Sequence, residues 1–262
     1  MSDTPTVLIT GASSGIGAVY ADRFARRGHD LVMVARDAAR MDALAAQLTS
    51  ETGVSIDVVR ADLSQSADVE AVEARLRDDA RIGVLVNNAG VSASGRFDRQ
   101  SSENVQTIFD VNAAAVLRLS HAAAGRFVRE GRGAIVNIGS VVGLAPEFGQ
   151  TVYGATKAFV LFLSQGMAVE LGPKGVYVQA VLPAATATDI WNRAGADPSQ
   201  LPPMMAVGEM VDAALVGFDR REAVTIPPLH DGAQWDAFQA ARQAMLPGFG
   251  ETTAAPRYKA AS

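Results

Sequence analysis

Tyr153 and Lys157 stand four residues apart in Tyr153-Gly154-Ala155-Thr156-Lys157. On a helix, that spacing puts both side chains on one face. A nearby ammonium favours a phenolate, so Lys157 is expected to pull the tyrosine below its ordinary pKa of about 10. A tyrosine tuned in this way serves as acid or base near neutral pH. Ser140 follows the apolar run Ala134–Ile138. That places it at the C-terminal end of a predicted strand, the edge where open α/β sheets bind ligands. There its hydroxyl can hold a substrate oxygen as charge develops. Asn112 lies inside a long helical stretch. Taken singly, each residue has a plainer role: a core tyrosine, a surface cation, a turn serine, a polar helix position. Their joint presence favours the chemical reading.

A second group suits a phosphate. Thr10-Gly11-Ala12-Ser13-Ser14-Gly15-Ile16-Gly17 follows the first strand and opens the first helix. Glycine lets the backbone turn sharply and approach a ligand closely, and the N–H groups at a helix start favour an anion. The spacing is G-x-x-x-G-x-G rather than G-x-G-x-x-G, and no Lys-Ser/Thr follows as in a P-loop. After the second strand comes Arg36-Asp37. A basic residue there pairs with the 2′-phosphate of NADP, and an acidic one takes the ribose hydroxyls of NAD. Arg36 is nearer the strand end and Asp37 suits a helix N-cap, so NADP(H) is expected ahead of NAD(H).

These residues need a scaffold that brings strand ends together. Strands are predicted at Thr6–Thr10, Asp30–Ala35, Val54–Arg60, Ile82–Asn87, Ala134–Ile138, Val176–Leu182 and Ala223–Ile226. Their nearly continuous Val/Ile/Leu content fits strands covered on both faces. Between them lie helices: Gly15–Arg27 ending at Gly28, Ala38–Thr52 capped by Asp37, and Ala67–Asp79 capped by Ser66. A longer stretch runs from Ser101 or Ser102 to Glu130, and another from Thr151 to Leu171 before Gly172-Pro173. The alternation predicts an α/β fold, a Rossmann-like doubly wound parallel sheet of about seven strands with helices on both faces. One domain is expected over 1–262, with a substrate loop at about 184–206 and a C-terminal extension at about 229–262.

The chain has 262 residues, 48% of them apolar, no cysteine and a formal net charge of −5. Disulfides, thiolate catalysis and Cys-ligated metals are excluded. Three scattered histidines give no expectation of a metal site. The acidic balance disfavours nucleic acid as a partner. No membrane span is expected, and the first five residues lack the signature of a signal peptide, so a cytoplasmic location is expected.

Asn87-Asn88-Ala89-Gly90 follows the fourth strand. Together with the glycine turn, Asn112, Ser140 and Tyr153-x-x-x-Lys157, it closely resembles the short-chain dehydrogenase/reductase family over roughly residues 5 to 190. The resemblance implies that Gly11, Ser13, Ser14, Gly15, Ile16 and Gly17 wrap the cofactor pyrophosphate and adjoining ribose. It implies that Asp62-Leu63 contact adenine and that Asn88, Ala89 and Gly90 line the adenosine side, with Asn87 mainly structural. Tyr153 is implied as the acid/base, and Lys157 as a ligand of the nicotinamide ribose. Asn112, through a bend in its helix, is implied to position a water relaying protons to Lys157. After the sixth strand the family has P-G-x-V-x-T. Here Pro183-Ala184-Ala185-Thr186-Ala187-Thr188 keeps Pro183 and Thr188, and Pro183, Thr186 and Thr188 are counted as cofactor contacts. The long helices match those that pair between subunits in the family, so a homo-oligomer, dimer or tetramer, is expected.

The expected activity is NAD(P)-dependent interconversion of a carbonyl and an alcohol by hydride transfer. Candidate pocket residues are Val91, Phe97, Val141, Val142, Leu144, Phe148, Trp191, Leu201, Met204 and Met205, which favour a hydrophobic substrate. Arg193 and His230 could instead read a charged group, and a 3-oxoacyl thioester is the runner-up substrate. The reading from another class is a non-catalytic NAD(P)-binding sensor on the same fold. The full set Asn112, Ser140, Tyr153 and Lys157 argues against it.

Overall fold

The computed structural model describes residues 4–92, 96–193 and 203–259. The chain divides into two compact units, Met1–Pro227 and Pro228–Ser262. In the first, strands and helices alternate: β1 (Thr6–Thr10), α1 (Gly15–Arg26), β2 (Leu31–Ala35), α2 (Ala38–Thr52), β3 (Ile56–Arg60), α3 (Ser66–Asp78) and β4 (Ile82–Asn87). Next come α4 (Ser102–Phe109), a π-helical turn (Asp110–Ala114), α5 (Ala115–Glu130), β5 (Gly133–Ile138), α6 (Thr151–Leu171) and β6 (Val176–Val181). The unit closes with α7 (Ile190–Arg193), α8 (Val207–Asp219) and β7 (Val224–Thr225).

All seven strands are parallel, in the order β3-β2-β1-β4-β5-β6-β7. The order reverses at β1, which pairs with β2 on one side and β4 on the other. Such a switch point opens a crevice at the C-terminal strand ends. Side-chain alternation sends Val7, Ile9, Met33 and Val86 to one face, against Tyr20 and Phe24 of α1 and Met210 of α8. Leu8, Val32, Val34 and Leu85 take the other face, against Leu119 and Phe127 of α5.

Helix ends follow the expected chemistry, with one shift. Asp37 accepts from the Arg40 N–H and caps α2, and Gly53 closes it in the left-handed region. Ser101 caps α4 by accepting from the Asn104 N–H. Ser66 was expected to cap α3 but is its first helical residue, with Gln65 at the cap.

A buried polar chain links the strand ends to two helices. Asn87 donates to Ser120 Oγ of α5 at 3.0 Å and to Asn137 Oδ1 at 2.9 Å, and Asn137 donates to Ser164 Oγ of α6 at 2.9 Å. Buried hydrogen bonds are costly to break, so this chain holds α5 and α6 to β4 and β5, although Asn87 Oδ1 has no partner among the described residues. By length and composition α6, with the turn after it, could cross a membrane. In this fold it packs on β6 and buries Thr156, Lys157 and Ser164.

In the second unit, α9 (Gly232–Ala244) is capped by Asp231, which accepts from the Ala233 N–H. The rings of Trp235 and Phe238 stack 5.5 Å apart. None of this unit's described residues is buried, and His230 is exposed.

Candidate active site

A cleft of about 1330 Å³ opens along the C-terminal ends of the strands. That exceeds a typical small-ligand pocket of about 300–1,000 Å³, and so has room for a dinucleotide beside a second molecule. Its wall includes Gly11, Ser13, Ser14, Gly15, Ile16, Arg36, Asp62, Leu63, Asn88, Ala89, Gly90, Ser140, Tyr153, Lys157, Pro183, Thr186 and Thr188. Two of the catalytic and cofactor candidates stand outside the wall, Gly17 and Asn112, and both act from behind it.

The glycine turn is built by close packing. Gly11 and Gly15 adopt left-handed backbone, φ +69° and +56°. A Cβ on Gly11 would lie 2.8 Å from Asn88 Nδ2, and one on Gly17 would lie 2.3 Å from the Gly11 carbonyl oxygen. Gly17 therefore lets the first turn of α1 press against the loop. Asn88 Nδ2 donates to the carbonyls of Thr10 at 2.9 Å and Gly11 at 3.3 Å. Thr10 Oγ1 in turn receives the N–H groups of Asn88 and Ala89, each at 3.0 Å. The glycine turn and the Asn88-Ala89-Gly90 loop are thus one cradle across the switch point. Ser14 makes no capping bond at the start of α1. Backbone N–H groups at a helix N-terminus suit the pyrophosphate of a dinucleotide.

At the adenosine end implied by the resemblance, Arg36 Nη1 lies 3.9 Å from Asp62 Oδ2, and Arg36 is largely exposed. Burial raises the Asp62 carboxyl, but the N–H and hydroxyl of Ser64 and the charge of Arg36 outweigh it and hold the group below its ordinary pKa. One carboxylate oxygen is engaged with Ser64, at 3.0 and 2.8 Å. The Asp62 side chain therefore also shapes the turn after β3.

At the other end, Ser140 Oγ lies 3.3 Å from the Pro183 carbonyl and receives the Val142 N–H at 3.2 Å. Tyr153 lines the same cleft, and the Ser140 hydroxyl pulls its phenol downward in pKa. Close contact fixes this pair. A Cβ on Gly143 would stand 2.7 Å from backbone atoms of Lys157 and Ala158, and one on Gly154 would stand 3.2 Å from the Val142 carbonyl oxygen. These two glycines let the turn after β5 lie on α6. The glycine within Tyr153-Gly154-Ala155-Thr156-Lys157 was the available sequence signal.

One expectation about these groups is corrected. Burial pushes the Tyr153 phenol up to about 12, against the downward pull of the Ser140 hydroxyl. Lys157 does not bring it below its ordinary value: its buried ammonium donates to the Ile138 carbonyl at 2.8 Å and stands 5.5 Å from the centre of the Tyr153 ring. Burial lowers Lys157 itself to about 8. Asn112 lies in the π turn, the bend implied for its helix. Its amide is spent on Val91, with Oδ1 receiving the Val91 N–H and Nδ2 donating to the Val91 carbonyl, both at 2.8 Å. The Asn112 side chain thus braces the loop after β4.

Of the apolar pocket candidates, Val91, Val142 and Trp191 line the cleft. Trp191 donates its indole N–H to the Thr186 carbonyl at 2.8 Å and is held in place. Phe97 and Phe148 are 64% and 60% exposed on short 3-10 turns, outside the wall. Val141, Leu144 and Met204 do not line it either. Met205 bridges Thr186 and packs on the core. Leu201 and the Arg193 side chain lie outside the described residues. The wall also holds Arg40, Gln150 and Asp189, which sequence reading did not single out. Arg40 was signalled by its place four residues after Arg36, whereas Asp189 had no local signal. Among the described residues, no group of His, Asp or Glu could hold a metal ion.

Comparison with known proteins gives the family. The short chain dehydrogenase family model matches residues 5–199. The solved structure of a short-chain dehydrogenase from Sphingobium yanoikuyae in complex with NADPH is 64% identical, covers 97% of this chain and 100% of that one, and superposes with a TM-score of 0.96. A bulky-bulky ketone specific alcohol dehydrogenase from Comamonas testosteroni is 57% identical over 98% and 99% of the two chains, with a TM-score of 0.92. A very-long-chain 3-oxoacyl-CoA reductase from Anas platyrhynchos is 33% identical over 69% of this chain, a match that spans 59% of that protein's length.

Proposed function

The chain belongs to the short-chain dehydrogenase family and is an oxidoreductase; on that premise we propose that it uses NADP(H) to interconvert bulky hydrophobic ketones and secondary alcohols. The observation that carries the reading is that Ser140, Tyr153 and Lys157 line the same cleft as the glycine cradle. Glycine-turn backbone and Arg36 would hold the dinucleotide, with Lys157, Thr186 and Thr188 along its path. When bound, the reduced nicotinamide supplies a hydride to the carbonyl carbon.

The chain's own residues then do three things. Ser140 and Tyr153 hydrogen-bond the carbonyl oxygen and orient it. Tyr153, protonated at neutral pH because burial raises it, gives that oxygen its proton as the alkoxide forms. Lys157, close behind the ring, offsets the negative charge left on the phenol oxygen.

The apolar wall of Val91, Val142 and Trp191 and the likeness to a bulky-ketone enzyme support a bulky substrate. Arg36 and the likeness to an NADPH-bound structure support NADP(H) over NAD(H). The apolar residues left exposed on α4, α5 and α6, Phe109, Leu117 and Phe162 among them, support self-association as a dimer or tetramer. The cysteine-free chain fits a reducing cytoplasm. The test is NADPH consumption against a carbonyl panel, with NADH in parallel. Turnover of bulky aromatic ketones is expected, and turnover confined to small charged oxoacids overturns the substrate assignment.

A further inference from the structure

Two rims of the cleft carry opposite charge where they face each other. The first turn of α2 presents Arg40, and the segment after β6 presents Asp189. Arg40 Nη1 donates to Asp189 Oδ2 at 3.2 Å, although 149 residues separate them. Asp37, at the start of the same helix, holds the other edge of the guanidinium, with Nε 3.4 Å from its Oδ2. A second crossing lies next to the first. A Cβ on Gly15 would stand 3.1 Å from Thr188 Cγ2, so Thr188 rests on the glycine turn.

The segment that carries Asp189 is fixed at its base. The Ala187 N–H donates to the Met205 carbonyl at 3.0 Å, the Met205 N–H donates to the Ala185 carbonyl at 2.9 Å, and the Trp191 indole donates to Thr186. Asp189 ties it to α2 through the ion pair. A dinucleotide reaching from Arg36 to Tyr153 follows a wall to which both rims belong. With the pair formed, the rims cannot part without separating opposite charges.

We propose that Arg40 and Asp189 form an ionic strap across the cofactor cleft that slows release of the bound dinucleotide. The proposal rests on the oxidoreductase reading and gives a positioning role to two residues which that reading does not use. Arg40 and Asp189 are 54% and 50% exposed, so solvent and salt screen the pair. Exposed pairs of this kind change an equilibrium by about two- to fivefold. The strap is therefore a modest, salt-sensitive brake. It needs no phosphate on the cofactor and acts on NADPH and NADH alike.

The test is stopped-flow release of NADPH and of NADH, followed by nicotinamide fluorescence, from the full-length protein and its D189N, D189E, R40Q and R40Q/D189N variants. D189N is expected to speed release of both cofactors about two- to fivefold, with D189E close to the unaltered protein. R40Q should match D189N for NADH, and the double variant should add nothing further. Raising the salt should speed release of NADH more from the unaltered protein than from D189N. Unchanged release in D189N overturns the strap, as does an R40Q effect confined to NADPH, which marks a phosphate contact instead. If the unaltered protein binds neither cofactor, the oxidoreductase reading falls and takes the strap with it. Intact binding with unaltered release removes the strap alone.

Discussion

The Lys157 ammonium donates to the Ile138 carbonyl at 2.8 Å, tying the middle of α6 to the end of β5. A buried cation is thereby held behind the Tyr153 ring by one backbone acceptor. Burial lowers its pKa to about 8 and raises that of Tyr153 to about 12. The pair is arranged for a neutral phenol beside a charged amine at pH 7.

Tyr153→Phe should abolish turnover, by about 10³-fold or more, while NADPH affinity changes little. Fluorescence titration alongside a rate assay checks both. Full activity in the variant overturns the acid/base assignment.

The pH profile follows from the two shifts. The phenol stays protonated well above neutrality, so the donor for ketone reduction is present across the working range. Lys157 loses its charge as pH rises through about 8, and with it the support for a phenolate. Reductive kcat/KM should be level near neutrality and fall beyond pH 8. A profile still level at pH 9.5 would contradict the role given to Lys157.

Lys157→Met should inactivate the enzyme yet stabilise it at pH 7. With the folded pKa below the unfolded value, the unfolded state binds more protons, so the lysine's cost is full below pH 8 and fades towards pH 10.5. Allowing for the lost hydrogen bond to Ile138, a gain of about 1–2 kcal/mol is expected, or roughly 2–8 °C in Tm. Thermal scans at pH 7 and pH 10 should show the gain shrinking.

Arg36→Ala should weaken NADPH about 10- to 100-fold and NADH far less, because only the first carries a phosphate for the guanidinium. Titration of both cofactors decides it. Equal losses would refute the preference for NADP(H).

Gly11→Ala should cost about 2 kcal/mol or more, since the residue has φ +69° and its Cβ would press on Asn88. Denaturant unfolding measures the loss, and cofactor affinity should fall with it because the cradle is displaced.

Much of this protein was legible in order along the chain. Runs such as Val7-Leu8-Ile9 and Leu31-Val32-Met33-Val34 specify buried strands because their side chains are apolar on both faces. The Tyr153–Lys157 and Gly11–Gly15–Gly17 spacings carry their geometry with them, since a helix or a tight turn converts sequence distance directly into position. Burial and distant neighbours have no such local code. Lys157 looked able to lower Tyr153 because it shares a helix face, but enclosure by the fold raised the phenol and turned the amine to Ile138. Asn112 showed in the sequence only as a polar helix position, and the fold set its side-chain amide on Val91. Arg40 and Asp189 belong to unrelated stretches of sequence. Only the crossover order of the sheet brings α2 and the segment after β6 to the two sides of one cleft, and only there do their charges meet.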